Sequence, residues 1–190
     1  MSEQETTQTN NTIAGDQAGR DIHKPSYTFS KSQETISYMT QLLCRLKEEQ
    51  ENDIRLTELI DDLEHYSRPF KGDVQGLESK LKDGDLESFV DFALRAKERF
   101  YKKLIRYQLF ESAQKINVHL LALVESYFEN HIVPKIQIGS SPAEIKLLIQ
   151  EFIVNPLLEQ LQENTLGFNA VDINGMLYFL TGNCHIKWTK

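Results

Sequence analysis

Apolar residues recur every three or four positions over most of the chain after residue 30, and this spacing is the strongest constraint on its fold. Between Ile36 and Leu46, for example, Met39 and Leu43 fall at these intervals. In an α-helix such spacing puts side chains on one face, whereas a strand requires alternation. Seven segments show the helical spacing and none shows convincing alternation. The sequence therefore predicts an all-α domain, a single multi-helix bundle.

The first helices are delimited by capping residues and a proline. Ser30 has capping-box spacing, and the first helix should run from there to about Asn52. Asp53 is the predicted cap of a second helix, which should end before Pro69 because proline breaks the hydrogen-bond ladder. One uninterrupted helix over residues 32–67 is the alternative.

The next two helices have similar local signals. A short helix that contains Leu77 and Leu81 should stop at Gly84, and Asp85 should then cap a long helix. The long helix has an acidic start and a basic end, which complement the helix dipole. This charge order supports the assignment.

Three further helices complete the predicted bundle. Residues 111–133 carry a wide apolar stripe that Pro134 should end. Ser141 starts a capping box with a proline in the first turn, and Pro156 should kink or restart that helix. The last helix is expected at about residues 171–180.

The segment from Gly175 to Trp188 has an unusual composition for a chain terminus. Met-Leu-Tyr-Phe-Leu-Thr stands between Gly175 and Gly182, and the only tryptophan follows at position 188. Gly182-Asn183 predicts a helix end with a left-handed residue and an extended tail beyond it. We expect this tail to pack back on the bundle. The alternative is that Asn183, His185 and Trp188 offer an exposed edge and an aromatic anchor to a partner protein.

The amino-terminal part of the chain has a different composition. Residues 1–12 are polar and are expected to form a disordered tail, because they cannot bury enough apolar surface to offset the entropy of ordering. Residues 13–30 are predicted to form an extended Gly/Asp-rich segment or linker. The helical domain should occupy residues 31–190.

The Gly/Asp-rich segment contains an internal repeat. Ala14-Gly-Asp16 is echoed by Ala18-Gly-Arg-Asp21, and Asp16 and Arg20 offer a charge pair. One interpretation is an extended segment that becomes ordered by pairing with copies in other subunits, which gives a homo-oligomer through residues 13–22. The other interpretation is a flexible linker.

Composition limits the compartment and the partners. The net charge of −7 disfavours broad electrostatic capture of nucleic acid. No apolar run is long enough to span a membrane, and the start of the chain does not resemble a secretion signal, so a cytoplasmic protein is expected. Cys44 and Cys184 lie far apart, which indicates unpaired thiols in a reducing compartment.

The sequence carries no recognisable signature of catalysis, of nucleotide binding or of metal binding. Cys184-His185 has no further ligands at suitable spacing, so we expect a buried, inert Cys184. His119 projects from the most apolar helix and is expected to be a hydrogen-bonded core residue. We predict no enzymatic activity and no cofactor. A pocket that gathers either histidine with carboxylates is the remaining route to an enzyme.

Five basic residues of the long helix form the one cluster that resembles a nucleic-acid surface. Aromatic residues are interleaved with them, as on surfaces that stack bases. Against this interpretation, Glu98 lies four residues before one of the lysines, and several of the aromatic residues have the spacing of buried positions. We expect a helix with a charged outer face, and nucleic-acid sensing is the alternative. The five basic residues of the cluster are Lys97, Arg99, Lys102, Lys103 and Arg106.

Four stretches of the chain resemble a known family. The stretch Gly175–Trp188 is the most specific, and it is accompanied by Leu77–Leu81, Tyr107–Ile116 and Asn155–Leu158. Together they are similar to the C-terminal domain of effector proteins in bacterial ABC three-component systems. The similarity covers about residues 35–188, and the Gly/Asp-rich segment resembles segments found upstream of such domains.

The resemblance implies a helical, noncatalytic module that couples an effector to an ABC-type ATPase and a small middle-component protein. Such systems are predicted to act in antiviral defence or other biological conflicts. No toxin-like domain precedes the module here, so the effector should be a separate chain or the protein a stand-alone adaptor. We expect an adaptor that transmits a nucleotide-dependent change made elsewhere.

Overall fold

The computed structural model of the chain describes residues 33–68, 76–162 and 164–189, and only the backbone of residues 33–37. Within these ranges the chain is helical and contains no strand, which confirms the predicted all-α class. The predicted cap at Ser30, the polar tail and the Gly/Asp-rich segment lie outside the described residues.

The first two helices are separate. Helix α1 spans Gln33–Glu51 and helix α2 spans Asp61–Ser67. The prediction that Asp53 caps the second helix is wrong, since Asp53 has a φ of 52° and α2 begins eight residues later. The intervening residues bond to α5 instead: the amide of Ile60 donates to Gln114 Oε1 at 2.6 Å. This tertiary hydrogen bond replaces the extra helical turns that the sequence predicts.

Helix α3 spans Leu77–Asp83 and ends at Gly84, as predicted. The prediction that Asp85 caps the long helix is wrong. Asp85 adopts a φ of 60°, a 3₁₀ turn follows at Glu87–Phe89, and helix α4 spans Val90–Tyr107. The chain thus turns sharply before the long helix begins.

A π turn extends the fifth helix past its proline. Helix α5 spans Glu111–Tyr127, a π turn follows at Phe128–Ile132, and helix α6 spans Val133–Gln137. The prediction that Pro134 ends the helix is therefore wrong. Pro134 stands at the second residue after the π turn, where a residue without an N–H is tolerated.

A second π turn has the same relation to a proline. Helix α7 spans Pro142–Ile149, a π turn follows at Gln150–Val154, and helix α8 spans Asn155–Leu161. The predicted cap is confirmed, because the Ser141 hydroxyl accepts a bond from the Glu144 amide at 3.2 Å. The prediction that Pro156 kinks or restarts the helix falls where the π turn stands, and the helix continues through that turn into α8. Counted through their π turns, the helices of the described ranges form seven segments, as the periodicity predicts.

Helix α9, Ala170–Gly182, is the centre of the bundle. Every residue from Gly175 to Thr181 is buried, since α9 packs along α4 and also contacts α3, α5 and α8. A Cβ atom at Gly175 would overlap the carbonyl oxygen of Ala96 and lie 2.6 Å from Phe100 Cβ. The glycine therefore lets the backbones of α4 and α9 approach each other closely.

The tail after α9 folds back into the core, which confirms one of the two predictions for it. The left-handed residue is Cys184, with a φ of 67°, one position later than Gly182-Asn183 suggests. The amides of Cys184 and His185 donate to the carbonyls of Thr181 and Leu180, the bonds of a Schellman motif. Trp188 is 1% exposed, and its indole N–H donates to Thr181 Oγ1 at 3.0 Å. The indole is therefore part of the core, and the prediction of an exposed aromatic anchor is corrected.

Candidate functional site

Two residues of the basic cluster bind a carboxylate inside the fold. Arg99 Nε and Lys103 Nζ lie 2.9 and 2.8 Å from the two carboxylate oxygens of Asp172, whose side chain is fully buried. Asp172 also accepts a bond from the amide of Asn169 in the capping box that starts α9. These bonds fix the start of α9 on α4, so Arg99 and Lys103 have a structural role.

The other basic residues do not share one surface with this pair. Lys102 lies 2.6 Å from Glu98 on the outer face of α4, and Arg106 is exposed. Lys97 is half-buried beside the carboxyl end of α9. The aromatic Phe100, between these residues in sequence, is fully buried. The structure brings no continuous basic strip together from these side chains, and it gives no support to the nucleic-acid alternative.

The tail residue His185 joins a cluster of rings. Its ring centroid lies 5.1 Å from that of His65 and 5.3 Å from that of Tyr66, whose hydroxyl donates to Glu125 Oε2 at 3.1 Å. Burial and the nearby Glu125 raise the pKa of Tyr66 to about 12. Burial lowers the pKa of His185, and the charge of Glu125 and bonds to the backbone of Arg68 and His65 partly offset the shift. The cluster holds the tail against α2 and α5.

Asn183 takes part in the same attachment, since its side-chain amide donates to the carbonyl of Tyr66 at 2.9 Å. Of the predicted partner-binding residues, Asn183 and His185 thus lie together and half-buried at the α2 side of the tail. Asp16 and Arg20 lie outside the described residues. Contact of any of these four with a partner protein stays a prediction.

His119 is a half-buried residue of α5. Its ring centroid lies 5.6 Å from that of Tyr38, and burial lowers its pKa while a hydrogen bond with Gln160 acts in the other direction. In the described part of the chain, no three His, Cys, Asp or Glu side chains are placed to hold a metal ion. Among the same residues, no helix is both long enough and apolar enough to span a bilayer.

A groove of about 400 Å³ opens between α2, α4 and the carboxyl end of α9. Leu59 and Leu63 line one wall, and Tyr101 and Ile105 line the other. Phe179 lies at its floor, with its ring stacked on that of Tyr101 at 6.4 Å between centroids. The groove is largely apolar, although Lys97 and Asn183 stand at its α9 end.

Lys97, the lysine in the groove, has a lowered pKa. Burial lowers the pKa of Lys97, and the neighbouring Lys80 lowers it further. Lys80 is itself buried and donates to the carbonyl of Thr181 at 3.0 Å, at the end of α9. Lys97 lies over Gly182, where the carboxyl end of the helix offers partial negative charge.

Sequence reasoning assigned Lys97 to the basic cluster and missed the groove. The signal available was the spacing along α4: Lys97, Tyr101, Leu104 and Gln108 follow one another at intervals of four, three and four residues. Such a row covers one helix face, and here the face is half covered by α2 and α9.

These features define an all-helical domain whose carboxyl-terminal tail completes its own core. Residues 76–188 match the family model of C-terminal domain 9 (CTD9) of the ABC-three component (ABC-3C) systems. The match covers more than half of the chain, so this chain belongs to that family and the resemblance seen in the sequence is confirmed. No curated protein and no solved structure matches the chain.

The family match begins at the residue before α3 and includes the whole docked tail. Helices α1 and α2 lie outside the matched range. The groove therefore lies where matched elements, α4 and α9, meet a wall that the family match does not include.

Proposed function

We propose that this chain is a noncatalytic adaptor of a bacterial ABC-3C defence system. In this role it couples an effector to an ABC-type ATPase and a small middle-component protein in the cytoplasm. Membership of the CTD9 family is the observation that carries the proposal.

Several side chains that could take part in catalysis make structural contacts instead, which supports a noncatalytic role. Asp172 fixes α9 on α4, His185 holds the tail, and His119 is a half-buried residue beside Tyr38. Neither histidine lines the groove between α2, α4 and α9. The surface of a helical body, rather than a reactive centre, is then what such a domain offers to its partners.

The packing of α9 supports a role in transmitting a change. Its amino end is tied to α4 by an ion-paired carboxylate and by close backbone contact at Gly175. Its carboxyl end holds the tail and the Trp188 indole. A partner that displaces one end of α9 would move the other, because close-packed interiors transmit strain.

The test is co-expression of the tagged full chain with an ATPase and a middle-component protein of the same ABC-3C system. We expect at least one of them to co-purify in fixed stoichiometry, and the amount recovered to depend on whether the ATPase is loaded with ATP or ADP. Recovery of the chain without either companion, in every nucleotide state, contradicts the proposal. Salt-sensitive binding to DNA or RNA that is lost on charge reversal of Lys102 and Arg106 would support the nucleic-acid alternative instead.

A further inference from the structure

The groove between α2, α4 and α9 brings several exposed apolar side chains together. Leu59 is 37% exposed, Tyr101 49% and Ile105 43%. All three line the same depression, so they form one patch rather than scattered surface positions. Apolar side chains that share one depression offer a surface that a partner can cover.

The dimensions of the groove fit the side chains of a helix. On α4 the groove runs from Lys97 to Gln108, which spans about 16 Å, or three helical turns, at 1.5 Å per residue. Its volume of about 400 Å³ is enough for a row of side chains and too small for a whole helix. An occupant must therefore lie along the groove and insert one face, as amphipathic helices do in grooves.

The lysine in the groove indicates which charge the inserted face of the occupant should carry. Lys97 is half-buried beside the end of α9; burial and the neighbouring Lys80 lower its pKa, and Cys184 partly offsets this shift. A carboxylate brought beside Lys97 would stabilise its charged form and form an ion pair at the edge of an apolar patch. A nucleic acid fits less well, since one lysine among apolar walls cannot match a row of phosphates.

We propose that the groove receives an amphipathic helix of a partner protein, with apolar side chains against Leu59, Tyr101 and Ile105 and an acidic side chain on Lys97. This inference rests on the proposed adaptor function and adds the surface and the chemistry of the partner. The acidic residue lies at the end of the apolar row nearest to α9, because Lys97 stands at that end of the groove.

The first test measures affinity between the full chain and each purified companion protein by calorimetry. Ile105→Asp puts a charge in the apolar wall, and Lys97→Glu puts two carboxylates together. Each should weaken binding at least tenfold. The matched controls are Leu94→Asp and Lys102→Glu, which change an exposed leucine and an exposed lysine of α4 that do not line the groove. We expect affinities within twofold of the wild type for both controls.

Gly182→Ala provides a variant that keeps every charge. A Cβ atom there would overlap the ammonium group of Lys97, so the flexible lysine must move away from the end of α9. We expect weaker binding than in the wild type with the same thermal unfolding temperature to within a few degrees. Circular dichroism of all variants separates a loss of binding from a loss of folding.

Photocross-linking identifies the occupant. A photoreactive phenylalanine at position 101 should join to a partner peptide with apolar residues three and four apart and an Asp or Glu at one end of the row. Changing that acid to lysine in the partner should restore binding to the Lys97→Glu variant. Such rescue is not expected of a residue that acts only on folding.

Two failures can be told apart. If neither companion binds the wild-type chain, the proposed function is wrong and this inference fails with it. If a companion binds and both groove variants bind it as the wild type does, the adaptor role stands and the groove is not its docking site. A cross-link from position 101 to a second copy of this chain would also overturn the inference.

Discussion

The two glycines that bracket the apolar stretch of α9 have opposite surroundings. At Gly175 the space for a side chain is filled by the backbone of Ala96 and by Phe100 Cβ. At Gly182 it is filled by the end of the Lys97 side chain. The atoms that a Cβ would meet at Gly175 belong to a packed helix. Those at Gly182 belong to a lysine side chain with several rotatable bonds.

The difference divides α9 into two functional parts. The start of the helix is fixed on α4 by backbone contact and by the ion-paired Asp172. One side of its last turn faces the groove, where a side chain can move without disturbing the core. A domain that must fold stably and still receive a partner needs both kinds of surroundings.

The largest expected effect concerns the buried side of the last turn of α9, where Trp188 packs. Trp188→Ala should lower the free energy of unfolding by about 3–5 kcal/mol, because it empties a fully buried site and removes the bond to Thr181. Urea denaturation measures the change, and Lys187→Ala, at an exposed neighbour, is the control. A loss below about 1 kcal/mol would mean that the whole end of α9 is loosely held.

Gly175→Ala tests the amino-terminal part directly. The added Cβ meets backbone that cannot rotate away, so we expect a loss of about 1–3 kcal/mol of unfolding free energy. Gly76→Ala is the matched control, since nothing lies within 4 Å of a Cβ there. Equal stability of the two variants would show that α4 and α9 separate easily.

Acid should act on the carboxyl-terminal part through His185. Its folded-state pKa lies below the ordinary value of 6.5, so the unfolded chain binds its proton first as the pH falls. The stabilisation is complete above pH 6.5 and is lost below it, with a slope of at most about 1.4 kcal/mol per pH unit from this group. Stability profiles of the wild type and His185→Gln between pH 7.5 and 5 should differ in slope.

Amide exchange can show which part of the protein loses stability as the pH falls. His119 has a lowered pKa as well and should keep its own contribution in the His185→Gln variant. Amide exchange of the tail should rise before exchange at the start of α9 does. A steeper profile in the variant would contradict the assignment.

The smallest effect is expected at Gly182. Gly182→Ala gains about 0.5–1 kcal/mol of helix propensity and loses a little when Lys97 moves, so the unfolding free energy should change by less than about 1 kcal/mol. Thermal and urea denaturation measure it beside Gly175→Ala. Equal destabilisation of the two variants would remove the distinction between the two ends.

The sequence predicts most of the helices because their signals are local. The apolar intervals, the Ser141 capping box and the break after Asp83 depend on neighbours a few residues away. Asp53 and Asp85 fail as caps because both adopt positive φ in turns that other contacts determine. The composition of Gly175–Trp188 predicts a docked tail, and the structure decides between a buried and an exposed Trp188.

The groove could not be predicted because its walls come from parts of the chain more than 30 residues apart. Leu59 and Tyr101 each have the spacing of ordinary helix positions, and only folding leaves them uncovered side by side. The same holds for Lys97, which belongs to a run of basic residues in sequence and lies beside Gly182 in the groove in space.

The paired π turns explain a repeat that a regular α-helix cannot keep on one side. Buried residues recur at a strict interval of four along both long helical segments: Ile116, Leu120, Val124, Phe128, Ile132 and Ile136, then Ile145, Ile149, Ile153, Leu157 and Leu161. At 3.6 residues per turn, each step of four overshoots by about 40°, so five steps would carry the row halfway round the cylinder. A π turn holds more residues per turn than an α-helix, so it offsets this rotation and keeps the row on the buried side. Deleting one residue there would leave a straighter helix whose later apolar residues no longer face inward.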